Sequence, residues 1–241
     1  MDQVKKASET FSTHLRDLLG NIDEHEIHYQ ELRANGAEGW GAESFHKRMQ
    51  GWELNLEWAL LFFPPAPAKL LDIGCGAGDS ALPLAKLGYD VSGLDISLTA
   101  IDWAKEKFAR NNLSADFKVH NLAEPIEFWP AESFDLIVDS ATLHCIIPPE
   151  REAAFTNIRR LLKPNGIFLL SSMVGEPKDL SKLDFFDSEK RLQRVKNLPL
   201  RYTPYLSDLK EEVTSYGFFI VESKIQVNPW WDHFTAILKI K

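Results

Sequence analysis

The sequence predicts an α/β fold: a doubly wound, Rossmann-like sheet, mostly parallel, with helices on both faces, an N-terminal helical lid and a closing antiparallel C-terminal hairpin. Three observations predict it. Short apolar runs alternate with amphipathic segments from residue 67 to about residue 172, the pattern of parallel strands joined by right-handed crossovers. A glycine cluster, Gly74, Gly76 and Gly78, follows the first run. Two later runs, 218–227 and 233–240, are separated only by Asn228-Pro229-Trp230-Trp231-Asp232, a spacing that suits a hairpin.

The elements follow in order. Residues 1–66 read as a helical cap and 67–241 as the sheet domain. Val4, Ala7, Phe11, Leu15 and Leu18 recur at helical spacing and predict a helix over 2–19. Residues 21–41 are polar and glycine-containing and predict an irregular segment. A second helix is expected over about 43–61, stopped by Pro64, Pro65 and Pro67. Strands are expected at Lys69–Ile73, Asp90–Asp95, Asp116–His120, Phe134–Asp139 and Ile167–Ser171. The charged stretch of about 174–203 has no period-2 pattern and predicts a helical insertion near the pocket mouth. Pro204–Tyr216 predicts a further helix, ended by Gly217.

The turn Asp72-Ile73-Gly74-Cys75-Gly76-Ala77-Gly78 carries the functional reading. Glycine permits positive φ and close approach of a ligand to the main chain, and a helix start supplies free N–H groups. A dinucleotide fingerprint, G-x-G-x-x-G, would need its third glycine at position 79, which is Asp79. No Gly-Lys-Ser/Thr follows, so a P-loop does not fit either. Asp72 would repel a pyrophosphate and attract an ammonium or sulfonium group. Asp95, about 20 positions past the glycines, is placed to accept hydrogen bonds from ribose hydroxyls.

Composition narrows the classes. Net charge is −8, without the basic footprint of a nucleic-acid binder. No apolar run approaches a membrane span of about 18 residues. The charged N-terminus lacks a signal-peptide core, so a cytoplasmic protein is expected, with no membrane partner. Cys75 and Cys145 are the two cysteines; they fit a reducing compartment and form no metal-ligand pattern.

With these motifs the sequence resembles the class I S-adenosylmethionine-dependent methyltransferases over roughly residues 68–241. Leu71-Asp72-Ile73-Gly74-Cys75-Gly76-Ala77-Gly78 is similar to their first motif, and Leu162-Lys163-Pro164-Asn165-Gly166 to a recurrent turn before their fifth strand. The resemblance implies S-adenosylmethionine as cofactor, S-adenosylhomocysteine as product, and a methyltransferase acting by in-line displacement. It implies cofactor contacts at Asp72, Gly74, Cys75, Gly76, Asp95, Ile96, Asn121, Leu122, Asp139 and Ser140. Asn121 stands where the family often has aspartate, and still offers an amide oxygen. The Asn/Asp-Pro-Pro-aromatic motif of base-modifying relatives is replaced by Asp139-Ser140-Ala141-Thr142, so a small-molecule acceptor is expected rather than nucleic acid.

Asp139 to Arg151 also resembles, in part, a stretch of thiopurine S-methyltransferase-like proteins, which brings in soft sulfur, selenium or tellurium acceptors. Ser140 stands in place of that family's arginine. His144 follows as a candidate base or acceptor-orienting group. Tyr29, Trp40, His46 and Arg48 are candidate lid residues, aromatic or polar-tipped groups suited to covering a pocket. Sulfonium chemistry requires no metal, and none is expected. Two other readings stay open: a nicotinamide-dinucleotide oxidoreductase, weakened by Asp79, and a non-catalytic S-adenosylmethionine-binding regulator, which shares the same motifs.

Overall fold

A computed structural model describes residues 21–195 and 198–241. The predicted helix over 2–19 lies outside them. A seven-stranded sheet runs in the order β3-β2-β1-β4-β5-β10-β9. Its strands are β1 (Lys69–Ile73), β2 (Asp90–Asp95), β3 (Asp116–Val119), β4 (Phe134–Asp139), β5 (Leu162–Val174), β9 (Phe218–Gln226) and β10 (Asp232–Ile240). The first five pair in parallel, and β10 pairs antiparallel with both β5 and β9. The predicted sheet and closing hairpin are both present.

Alternation along the strands divides the core in two. Leu70, Val91, Leu136, Val138 and Leu169 turn to one face, against Ile101 and Phe108 of α4 (Leu98–Arg110) and Leu84 of α3 (Ala81–Lys86). Trp52, Leu56 and Ala59 of α2 (Phe45–Ala59) join this layer. Leu71, Ile73, Ile137, Phe168 and Leu170 turn to the other face, against Phe155 and Ile158 of α5 (Glu150–Leu161) and Leu209 and Val213 of α6 (Leu206–Ser215). Helices on both faces bury a parallel sheet completely, which is why its strands read as nearly continuous apolar runs.

Two expectations are corrected. Residues 21–34, expected to be irregular, form a helix, α1. The insertion expected to be helical is a three-stranded antiparallel sheet, β6 (Leu183–Asp187), β7 (Leu192–Val195) and β8 (Arg201–Tyr202), preceded by a single 3-10 turn at Leu180–Lys182. In both segments polar side chains fill buried positions: Asn21 and His25 in α1, and Gln193 and Arg201 in the small sheet. The apolar periodicity that signals an amphipathic element is therefore absent from the sequence.

Candidate functional site

Three carboxylates gather at the C-terminal ends of neighbouring strands. Asp95 ends β2, Asp139 ends β4, and Asp72 is the penultimate residue of β1 between them. All three are buried. Burial pushes the carboxyls of Asp72 and Asp139 up to about 7 and that of Asp95 to about 6; the charges of Asp139 and Asp95 add to the rise at Asp72. Hydrogen bonds fix their orientation. Ser80 Oγ donates to Asp72 Oδ2 at 2.6 Å. The Thr142 and Leu143 N–H groups donate to Asp139 Oδ1 at 2.6 and 3.3 Å. Asp72 Oδ1 and Asp139 Oδ2 are buried without a hydrogen-bond partner.

The glycine turn lies beside them. Gly74 and Gly76 have φ of 61° and 52°, the left-handed region that only glycine enters freely. A Cβ on Gly74 would strike the Thr142 side chain, and one on Gly76 would strike the Tyr29 hydroxyl. The Cys75 N–H donates to Leu94 O at 2.9 Å, and the Gly76 N–H donates to Asp95 Oδ2 at 2.9 Å. Cys75 itself is buried, and burial pushes its thiol far above the ordinary range, which makes it packing rather than a nucleophile. Buried carboxylates beside main chain free of side chains favour a ligand carrying positive charge over one carrying phosphate.

Helix α1 roofs the turn. Asn21, His25, Tyr29 and Leu32 form its buried face. Glu26 accepts from Ser97 Oγ at 2.6 Å, Thr99 Oγ1 at 2.5 Å and the Thr99 N–H at 3.2 Å, so a carboxylate of the roof sits at the N-terminus of α4. Asn21 Nδ2 donates to Cys145 O at 3.0 Å on the other side of the site. Trp40 packs against His25, His28 and Tyr29, with ring centroids 5.9, 4.6 and 5.1 Å apart.

The structure brings most of the sequence-predicted residues together. Tyr29 covers Gly76, and Trp40 supports Tyr29. Arg48 lies beside Gly41, and its charge bears on Tyr29 and Asp79. Ile96 and Ser140 are half-buried at the ends of β2 and β4, and Leu122 is buried beyond β3. Asn121 Oδ1 accepts from the Ala123 N–H at 3.0 Å and closes its own turn. His144 is buried in the 3-10 turn Leu143–Cys145, its Nδ1 without a partner and its ring 6.2 Å from that of His233. Burial, and then the positive charge of Arg201, hold its imidazole well below the usual range. His46 is not brought to the site; it is largely exposed and its Nε2 lies 3.0 Å from Glu38 Oε1. Among the described residues no cluster has the make-up of a metal site.

The sequence reading missed Glu26, Arg201, Gln193 and Thr203, because α1 and the small sheet were assigned to other structures. Ser97-Leu98-Thr99 at the start of α4, with Ser97 as its N-cap, is a helix N-terminus pattern and the one available signal that a carboxylate could dock there.

Residues 70–166 match a protein-family model described as a methyltransferase domain. An uncharacterized methyltransferase of Synechocystis is 38% identical over 102 residues, 42% of this chain and 45% of that protein. The chain spans less than half the length of that relative and of other curated relatives it matches. Two solved structures share the fold over nearly the whole chain. One is the 1,6-didemethyltoxoflavin-N1-methyltransferase of Burkholderia thailandensis, with 1,6-didemethyltoxoflavin and S-adenosylhomocysteine bound (TM-score 0.65, 20% identity, 90% of this chain and 88% of that one). The other is a TehB-like SAM-dependent methyltransferase of Corynebacterium glutamicum (TM-score 0.57, 23% identity, 92% and 99%). Over residues 70–166 the chain is thus similar to methyltransferase domains, and its sheet has the Rossmann-like fold of S-adenosylmethionine-dependent methyltransferases.

Proposed function

We propose that the chain binds S-adenosylmethionine and transfers its methyl group to a small-molecule acceptor by in-line displacement. The observation that carries this is a positive-φ glycine turn, Gly74 to Gly76, packed too closely for any side chain of its own and lying among buried carboxylates of which two keep an unpartnered oxygen. S-adenosylmethionine, when bound, supplies a methyl group on a sulfonium; the acceptor's lone pair forms the new bond, and the electrons of the broken carbon–sulfur bond leave a neutral thioether.

The chain's own residues bind, align and exclude water. Asp95 accepts from the ribose hydroxyls. Asp72 and Asp139 face the positive charge, and the backbone of Gly74, Cys75 and Gly76 lies along the ligand. Ile96 and Leu122 flank the adenine, and the second lone pair of Asn121 Oδ1 serves its amino group. Ser140 borders the methionine portion. Tyr29, Trp40 and the rest of α1 close the site from above. His144, held neutral by its surroundings, orients the acceptor and takes a proton only from an acidic one.

The roofed position of the site and a formal net charge of −8 support a small molecule rather than nucleic acid. The similarity of Asp139–Arg151 to a thiopurine-methylating stretch supports sulfur, selenium or tellurium among the acceptor atoms. Calorimetric titration with S-adenosylmethionine and S-adenosylhomocysteine tests cofactor binding. Consumption of S-adenosylmethionine across thiols, selenols, tellurite, amines, phenols and carboxylic acids tests transfer. Saturable binding of reduced nicotinamide cofactor, with none of either adenosyl compound, overturns the proposal.

A further inference from the structure

Three arginines are buried among the described residues: Arg151, Arg191 and Arg201. Two have a carboxylate partner. Arg151 Nε and Nη2 donate to Glu212 Oε1 and Oε2 at 2.7 and 2.6 Å, and Arg191 Nη1 donates to Glu176 Oε1 at 2.7 Å. Arg201, 5% exposed, has none. Its Nη1 donates to the carbonyls of Pro199 and Leu200 at 2.7 and 3.2 Å, and its guanidinium carbon lies 5.9 Å from the Trp40 ring. A buried cation without a counter-ion is costly to the fold. Here the cost coincides with a group of unsatisfied neighbours.

Gln193 is the register partner of Arg201 across β7 and β8, so the two side chains share a face. Gln193 is fully buried, and neither its Nε2 nor its Oε1 has a partner. Thr203, two residues beyond Arg201, is 1% exposed with Oγ1 unpartnered. Strand β8 packs against the turn Leu143–Cys145, which carries His144 with its unpartnered Nδ1. Asn21, hydrogen-bonded to that turn, has an unpartnered Oδ1. Buried polar groups are nearly always hydrogen-bonded, so this many orphans around one unpaired guanidinium mark a place that a ligand completes. The field there is positive: Arg201, Arg48 and Arg151 all act to keep His144 neutral. Glu24, the carboxylate that α1 sends toward the small sheet, is paired with Arg194 at 2.7 Å.

We infer that the small β6–β8 sheet and the turn Leu143–Cys145 form the acceptor subsite, and that it takes a small anion whose carboxylate or oxyanion is bound by Arg201, Gln193 and Thr203. This deepens the methyltransferase proposal by naming the acceptor's charge class. Arg201 and Gln193 then serve as positioning groups that hold the acceptor while its nucleophilic atom faces the cofactor side of the site, where Asp139 stands.

Calorimetry on the full chain saturated with S-adenosylhomocysteine tests the inference. The probes are acetate, benzoate, phenylacetate, inorganic phosphate and tellurite, with acetamide, benzamide and phenylacetamide as neutral counterparts. At least one anion should bind saturably, and a carboxylate that binds should do so about 10-fold or more tightly than its amide, the range of a charge-assisted hydrogen bond. Carboxylate and mineral oxyanion arms separate the two sources of negative charge. Arg201→Met should weaken the bound anion by about 10- to 100-fold, and Gln193→Leu by a smaller factor; the S-adenosylhomocysteine titration of each variant reports its folding. Equal binding of acid and amide, no saturable anion, or undiminished affinity in a folded variant overturns the inference. Failure of S-adenosylhomocysteine to bind the wild type overturns the cofactor proposal instead, and anion binding measured on that unsaturated protein still decides the subsite.

Discussion

The Gly76 N–H donates to Asp95 Oδ2, and the Ser97 N–H donates to Oδ1, each at 2.9 Å. A single buried carboxylate thereby joins the glycine turn to the start of α4. Asp95→Ala removes both acceptors and the proposed ribose contact. It should weaken S-adenosylhomocysteine binding by about 1–3 kcal/mol, with Asp95→Asn losing less because one acceptor oxygen remains. Titration calorimetry on the two variants checks this; unchanged affinity means the ribose sits elsewhere.

Gly76 is confined by its backbone and by its neighbour. Its φ of 52° strains any side-chain-bearing residue, and the Tyr29 hydroxyl occupies the space of a Cβ. Gly76→Val should therefore abolish cofactor binding and also cost about 1–3 kcal/mol of stability. Pairing it with Tyr29→Ala should recover part of the stability and none of the binding. Urea denaturation and calorimetry separate the two effects; a stable variant with normal affinity removes the turn from the site.

In an unfolded chain an aspartate loses its proton near pH 4, whereas folded Asp72 keeps its proton to about 7. Between those values the folded state binds more protons, so stability falls as pH rises through the window, and the penalty is complete above it. Asp72→Asn removes the penalty and keeps an acceptor for Ser80. The variant's Tm relative to wild type should rise by several degrees between about pH 5 and about pH 8, while its affinity for the sulfonium cofactor at the higher pH falls. Melts at the two pH values decide; a constant difference in Tm contradicts the assignment of Asp72 as a carboxyl that ionises near neutrality.

Glu26 ties α1 to α4 through Ser97 and Thr99. Glu26→Ala should cost about 1–2 kcal/mol and increase amide exchange in 21–34 more than in the sheet. Hydrogen-exchange mass spectrometry reads this directly. Uniform exchange with wild-type rates in α1 would mean that the roof is held by its buried face and its other polar ties, without Glu26.

The parallel sheet was legible because its strands are buried on both sides and are written in apolar residues: Leu70 and Leu71 of β1 serve opposite cores. The strand-end carboxylates and the positive-φ glycines were legible because few other residues serve those positions. Helix α1 and the β6–β8 sheet were not. Their buried faces include Asn21, His25, Gln193 and Arg201, with Thr203 buried just beyond β8, residue types that a pattern reading assigns to solvent. Local patterning and tertiary burial disagree in these two places, which is where functional sites are expected to break the rules that specify a fold. His46, by contrast, suited a lid by type and spacing, yet α2 turns it outward to Glu38.

Helix α1 is fastened by Glu26 over the start of α4, by Asn21 over the turn at Cys145, by Glu24 on Arg194 of β7 and by Arg33 on Glu106 of α4. A cover latched at several points opens only when all the latches release together, which is rarer than the release of any one. In a working cycle the spent nucleoside would wait behind it, and the tempo of the enzyme would be set by unlatching rather than by bond exchange. Faster turnover would then come from loosening a helix rather than from altering the groups that align the methyl.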